Sequence, residues 1–225
     1  MAAFGVSALM GVEPTRFTVS MPRVTLELML PVVVLSILCA LVSILFCKGL
    51  HWTEHLLTRS FRNPWLRVLA GAAILIVLSL LTNGDYNGAG MDVIARALRG
   101  DVSGWAWLWK LLFAAVTIGC GFKGGEVVPS FFVGAAFGCF MGGLLGLPAG
   151  FAAAIGLVAV FCGAVNCPVA SVLLSVELFG SAGAPYFAVA CALSYLLSGY
   201  CGLYSSQTIL YSKLRAEFIN VRTHE

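Results

Sequence analysis

Apolar residues fall in blocks along this chain, and the blocks are broken by glycine and proline. Leu26 to Phe46 is long enough to cross a bilayer, with Pro31 near its start, where a missing N–H costs little. Later runs are shorter: Val68–Leu81, Trp105–Cys120, Pro129–Leu145, Phe151–Gly163, Val169–Phe179 and Tyr186–Leu203. Most of them fall short of the ~20 residues one crossing needs. Between them lie a mixed stretch from Lys48 to Arg67, a turn-rich "TNGDYNGAG", and a short amphipathic helix from Met91 to Leu98. The tail from Ser205 is expected to be an amphipathic, mildly basic helix. No strand-like alternation stands out, so the chain is expected to be all-α, with seven to nine helical segments, several of them half-spanning.

Broken apolar helices carry a physical implication. Lipid cannot satisfy free backbone N–H and C=O groups, so such breaks survive only inside protein or beside a polar cavity. Transporters build ion sites from discontinuous helices in this way. The stretch "VGAAFGCFMGGLLG" adds small residues that let helices approach closely.

Composition strengthens the membrane reading. Apolar residues make up 60% of the 225 and charged residues 10%, against about 25% charge in a soluble domain. The net charge of +3 is small and scattered, which argues against nucleic acid as a partner. The eight cysteines form no CxxC pair; Cys39, Cys120, Cys139, Cys162 and Cys191 sit in apolar runs as small hydrophobes. No cleavable leader is expected at "MAAFGVSALMGVEPTRF". An excess of Lys and Arg over 48–67 places that stretch on the cytoplasmic side by the positive-inside rule.

Three breaks hold the candidate chemistry. "GFKGGEVVPSFF" (121–132) sets Lys123 and Glu126 between apolar runs. Pro129 is expected to open a helix, leaving the Glu126, Val127 and Val128 amides at its positive end, where anions are favoured. Gly124 and Gly125 let a ligand approach the backbone. The plainer alternative is a surface loop in which Glu126 caps the dipole and Lys123 snorkels. "GAVNCPVASVLLSVELFG" opens another helix at Pro168. "SGYCGLYSSQ" (198–207) presents the hydroxyls of Tyr204, Ser205 and Ser206 at a further helix start, or else belongs to an interfacial aromatic belt.

Read together, "GGEVVP", "FFVGAAFG", "GAVNCPVASVLLSVE" and "GLYSS" resemble the C-terminal half of the CLC family of chloride channels and proton-coupled anion antiporters. Glutamate at 126, where that family usually has Ile-Phe, resembles its fluoride-exporting branch, as do "YNGAGMDVIARAL" and "SVELFG". The resemblance implies that the Glu126 and Val127 amides, the glycines 124 and 125 and the Tyr204 phenol line a central anion site. It implies a halide (fluoride or chloride) and protons as cargo, and no cofactor. It also implies a homodimer built through helices around Glu13–Leu45 and Pro168–Leu203, in a bacterial inner membrane. Fluoride is small and hard, so a protonated Glu126 could donate a short hydrogen bond to it; neighbouring anions and desolvation raise a carboxyl's pKa.

The family's first inverted half, with its gating G-[KR]-E-G-P stretch, is not found here. Residues 1–20 are therefore expected to be the remnant of a helix near the end of that half, and 21–225 the second half; no regulatory module is expected after Glu225. No enzymatic residues are expected. "HWTEH" (51–55) fits an H-x-x-E-H zinc pattern, but a helix with a wet side accounts for His51, Glu54 and His55 more simply. Glu177 is expected to be a helix-terminal surface acid, Asp85 a cap and Asp92 part of a wet face. A non-transporting membrane partner is the remaining alternative.

Overall fold

The computed structural model describes residues 2–11, 16–215 and 217–223. Among them run nine α-helices: α1 (Ala2–Leu9), α2 (Leu26–Ser60), α3 (Pro64–Leu81), α4 (Met91–Arg99), α5 (Ala106–Gly119), α6 (Val127–Leu144), α7 (Ala149–Val165), α8 (Pro168–Phe179) and α9 (Ala184–Leu197). A 3₁₀ turn at Ser181–Gly183 leads into α9. Three helices, α2, α3 and α6, are long and apolar enough to cross a membrane.

α7 is the centre of the bundle. Its residues from Phe151 to Ala164 are buried on nearly every side, so the helix carries no polar stripe. α6 lies antiparallel against it. A methyl added at Gly134 would strike the Gly156 carbonyl, and one at Gly138 the Ala152 carbonyl. Backbone therefore meets backbone along this seam, as small-residue packing in lipid requires. α2 packs across α5, α7 and α9, burying Leu35, Cys39, Phe46 and Leu50. The extended segment before α2 is tied to the far end of the chain: the Phe17 amide donates to the Leu178 carbonyl at 2.9 Å and the Tyr186 hydroxyl to the Arg23 carbonyl at 2.9 Å.

Three expectations need correction. α2 does not stop at Phe46 but continues through the mixed stretch to Ser60, because nothing in 47–60 breaks a helix until "RNP". Asp85 caps nothing: it pairs with Arg96 at 3.0 Å, and Gly90, at φ 71°, holds the N-cap of α4.

The tail is the larger departure. Instead of a helix, it forms an antiparallel hairpin of β1 (Thr208–Tyr211) and β2 (Phe218–Arg222), with Thr208 opposite Arg222 and Tyr211 opposite Phe218. The strands are rich in β-branched and aromatic residues. Along β2, Ile219 and Val221 turn inward while Phe218, Asn220 and Arg222 face out, which is a period of two. Tyr211 and Phe218 meet edge to face across the pair, centroids 5.7 Å apart. Glu13, named for a dimer interface, lies outside the described residues.

Candidate functional site

The loop joining α5 to α6 begins with Gly121 at φ 93°, a left-handed conformation that favours glycine. Glu126 is the N-cap of α6, and its carbonyl accepts the Ser130 amide at 3.2 Å. The helix thus starts two residues ahead of the expected Pro129. Proline remains harmless in the first turn, where its missing N–H would have no intrahelical partner. The first-turn amides of Val127 and Val128 accordingly point out of the helix's positive end. At α8 the expectation holds, and Pro168 stands at its start.

Glu126 is half-buried, and its Oε2 is shut away from solvent with no hydrogen-bond partner. Burial first, and then the Glu54 carboxylate, push its carboxyl above the usual carboxylate range. Such a group binds a proton more readily than an exposed glutamate. Lys123 is exposed and does not neutralise it.

Gly124 and Gly125 are free of protein crowding: a Cβ at either would meet no atom within 4 Å. Both border a cavity of about 520 Å³ shared with Val128, Pro129, Thr117 and Lys110. The open space the glycines face is room for a small ligand and water. Lys110 is 2% exposed; its ammonium donates to the carbonyls of Gly88 (2.6 Å) and Tyr86 (3.1 Å) and lies 5.0 Å over the Phe132 ring. Sequence reasoning passed over Lys110. The signal was there, since a lone cation inside an apolar helix is retained only where partners are built for it.

Tyr204 does not open a helix. It lies in the loop between α9 and β1, 41% exposed, and its carbonyl accepts the Thr223 hydroxyl at 2.7 Å and the Gln207 amide at 3.0 Å. No hydrogen bond joins its hydroxyl to the 121–128 loop among the described residues. The two loops nevertheless both lie along α2. Just ahead of the 121–128 loop, a Cβ on Gly119 would meet Thr53 and Glu54. Cys47 and His51 border a cavity with Cys201 and Gly202, and a His51 ring nitrogen is 3.1 Å from the Gly202 carbonyl. His51 is thereby committed to this loop, and no three His, Cys, Asp or Glu side chains gather as a metal site among the described residues.

The third break joins the same cluster. Asn166, at φ 59°, ends α7 and donates through Nδ2 to the Cys201 carbonyl at 2.8 Å. Gln207 Nε2 donates to the Val165 carbonyl at 3.1 Å. Asn166, Gln207 and Lys213 escaped sequence reasoning, because each acts on a segment remote in the chain.

Interrupted helices in an apolar bundle, with the positive end of α6 and the open backbone at Gly124 and Gly125 bordering a cavity, are an arrangement suited to holding an anion. The voltage gated chloride channel family model matches residues 1–199. The chain is 37% identical over 212 residues to a chloride/fluoride channel protein of Pseudomonas syringae pv. tomato, covering 90% of this chain and 47% of the relative. It also resembles the crystal structure of a CLC-type fluoride/proton antiporter, with TM-score 0.84 and 30% identity over 89% of this chain and 51% of that one. The chain spans about half the length of each of these proteins. A family match across most of the sequence, a fold to go with it and a set of membrane-length helices agree: this is an integral membrane protein that belongs to the voltage gated chloride channel (CLC) family.

Proposed function

We propose that this chain supplies the C-terminal inverted half of a CLC transporter that exchanges fluoride for protons. In this reading the first-turn amides of α6, the open backbone at Gly124 and Gly125 and the Tyr204 phenol contribute to the anion site. Glu126 carries the proton and, when protonated, donates a hydrogen bond to the halide. The observation that carries the proposal is the Glu126 carboxylate itself. It stands at a helix N-terminus with one oxygen buried and unpartnered, so the charged form is disfavoured, the carboxyl takes up a proton, and the O–H so formed can donate to an anion. The similarity to a chloride/fluoride channel protein and to a fluoride/proton antiporter supports fluoride as the cargo, with chloride as the runner-up.

Within the complete transporter the chain serves ion transport and turns over no substrate. Its N-terminal counterpart would come from a matching CLC half, supplying donors to the opposite face of the ion. Two copies would make a homodimer in a bacterial inner membrane. Exposed apolar side chains on α2 (Leu30, Leu41), α8 (Val169, Leu173) and α9 (Leu196, Leu197) support that pairing or contact with lipid.

Fluoride and proton flux from liposomes holding both halves tests the reading. Glu126→Gln, which keeps the shape but cannot shuttle a proton, is expected to reduce proton-coupled fluoride flux by at least about tenfold, within the usual contribution of a positioned acid–base group. Fluoride flux, proton coupling and fluoride-over-chloride selectivity all unchanged in that variant would reject it.

A further inference from the structure

We propose that Lys213 pins the C-terminal hairpin onto the ends of α7 and α9 and so fixes the position of Tyr204, making it a positioning residue for the anion site. The second half of this statement rests on the reading above that Tyr204 lines that site; the first half stands by itself.

Lys213 lies in the turn between β1 and β2, where a lysine ordinarily extends into water. Here it turns back into the bundle. Its ammonium reaches the Asn166 side-chain oxygen (2.5 Å), the Tyr195 carbonyl (2.7 Å) and the Ser198 hydroxyl (3.1 Å), and lies 4.1 Å from the centre of the Tyr195 ring. An ammonium has three hydrogens to donate, and all three find acceptors. Those acceptors sit at helix C-termini: Asn166 ends α7, and Tyr195 and Ser198 belong to the last turn and cap of α9. Two negative dipole ends therefore converge on one cation. Burial pushes the Lys213 ammonium down to about 8, which leaves it charged at neutral pH and so able to hold both ends.

The pin reaches the Tyr204 loop through Asn166, which accepts from Lys213 and donates through Nδ2 to the Cys201 carbonyl at 2.8 Å, and further hydrogen bonds hold that loop to α7 and to the hairpin. The Leu203 amide donates to the Ala164 carbonyl at 2.9 Å, and Gln207 Nε2 to the Val165 carbonyl at 3.1 Å. The Thr223 amide at the end of β2 donates to the Gln207 carbonyl at 3.2 Å, while its hydroxyl holds the Tyr204 carbonyl at 2.7 Å. The Tyr204 side chain, 41% exposed, has little packing to hold it. Its placement follows its backbone, and its backbone is held by the hairpin.

The test uses the complete two-half transporter in liposomes with Lys213→Met, Lys213→Arg, Tyr204→Phe and the Met/Phe double variant. Hydrogen exchange over 198–223 reads the pin; the fluoride dependence of flux reads the site. Lys213→Met is expected to speed exchange by at least about tenfold, since it removes three hydrogen bonds and one charge-assisted bond alone is worth that much. It should also raise KM for fluoride several-fold more than it changes kcat. Lys213→Arg should restore part of both, and in the Tyr204→Phe background the Met substitution should add little. Unchanged exchange overturns the pin. Faster exchange with KM unchanged, or fully additive effects with Tyr204→Phe, overturns the positioning role. Transport unaffected by Tyr204→Phe alone removes the site reading and the positioning role together, while exchange still decides the pin. Should Lys213→Met not fold, Ser198→Ala takes its place: it removes one of the three acceptors, leaves the Asn166–Cys201 bond intact, and the same outcomes apply.

Discussion

Single residues in this chain divide by whether their partners are near or far in sequence. Glu126 could be picked out from its neighbours, since a carboxylate between glycines and a proline inside apolar sequence is already out of place. Pro168 was equally legible, because the proline rule for helix starts is local. Lys213 was not: its three partners lie 47, 18 and 15 residues away, and a lysine in a polar turn has no local mark. Lys110 stands between these cases, with an audible signal and unguessable partners. Removing it by Lys110→Met would take the ammonium donor from the half-buried Tyr86 and the exposed Gly88, at about 0.5–1.5 kcal/mol for each carbonyl. A lower melting temperature in detergent and a reduced folded yield are expected. A variant as stable as the parent would mean that the desolvation cost of the ammonium cancels its hydrogen bonds. Gly125→Ala makes the opposite case. No protein atom lies near its would-be methyl, so the variant should fold normally while the methyl intrudes on the ligand space. Intact size-exclusion behaviour with slowed fluoride flux is the expected result; unchanged flux would remove Gly125 from the site.

At the scale of elements, period and length decide what could be read. The helices from α5 to α9 were visible as apolar blocks because lipid-facing and core-facing residues alike must be apolar, and turns then stand out by contrast. The same uniformity hid which faces meet. The glycine stretch announced close packing without naming α7 as its partner. In the tail, Ile209, Tyr211, Ile219 and Val221 suit either a helical stripe or a strand, and a short segment does not separate the two periods. The hairpin won through cross-strand pairing and its ties to α7, which are tertiary. The α6–α7 seam offers the sharpest test here. Gly156→Val would drive a side chain into the Gly134 carbonyl and the Gly138 backbone, neither of which can rotate away. Overpacking of this kind costs about 1–3 kcal/mol, occasionally more, and the bundle's centre has no room to adjust. Loss of the monodisperse folded peak is expected, whereas Gly143→Ala, with nothing within 4 Å, serves as the neutral control. A stable Gly156→Val protein would show that α6 and α7 pack elsewhere.

For the whole molecule, the proposed role as one half of a transporter raises the question of whether the chain can hold an ion by itself. α3 is buried over only 6% of its apolar window, and Leu26, Leu30 and Leu41 of α2 are largely exposed, so much of the bundle's surface is fit for lipid or for further protein. In the proposed reading the anion donors on this chain approach from one side. A helix N-terminus provides roughly half an elementary charge, while carrying a bare ion into a low-dielectric interior costs of order 20 kcal/mol in the idealised case. The α6 amides and the Tyr204 phenol cannot offset that cost with the opposite face of the ion left against lipid. A polypeptide limited to residues 1–225 is therefore expected to give no proton-coupled fluoride or chloride flux in liposomes, and co-expression with a matching N-terminal half should restore it. Ion-selective electrode traces from the two preparations, at equal protein per vesicle, make the comparison. Robust flux from residues 1–225 alone, abolished by Glu126→Ala, would instead mean that two copies of this chain assemble a complete site between them.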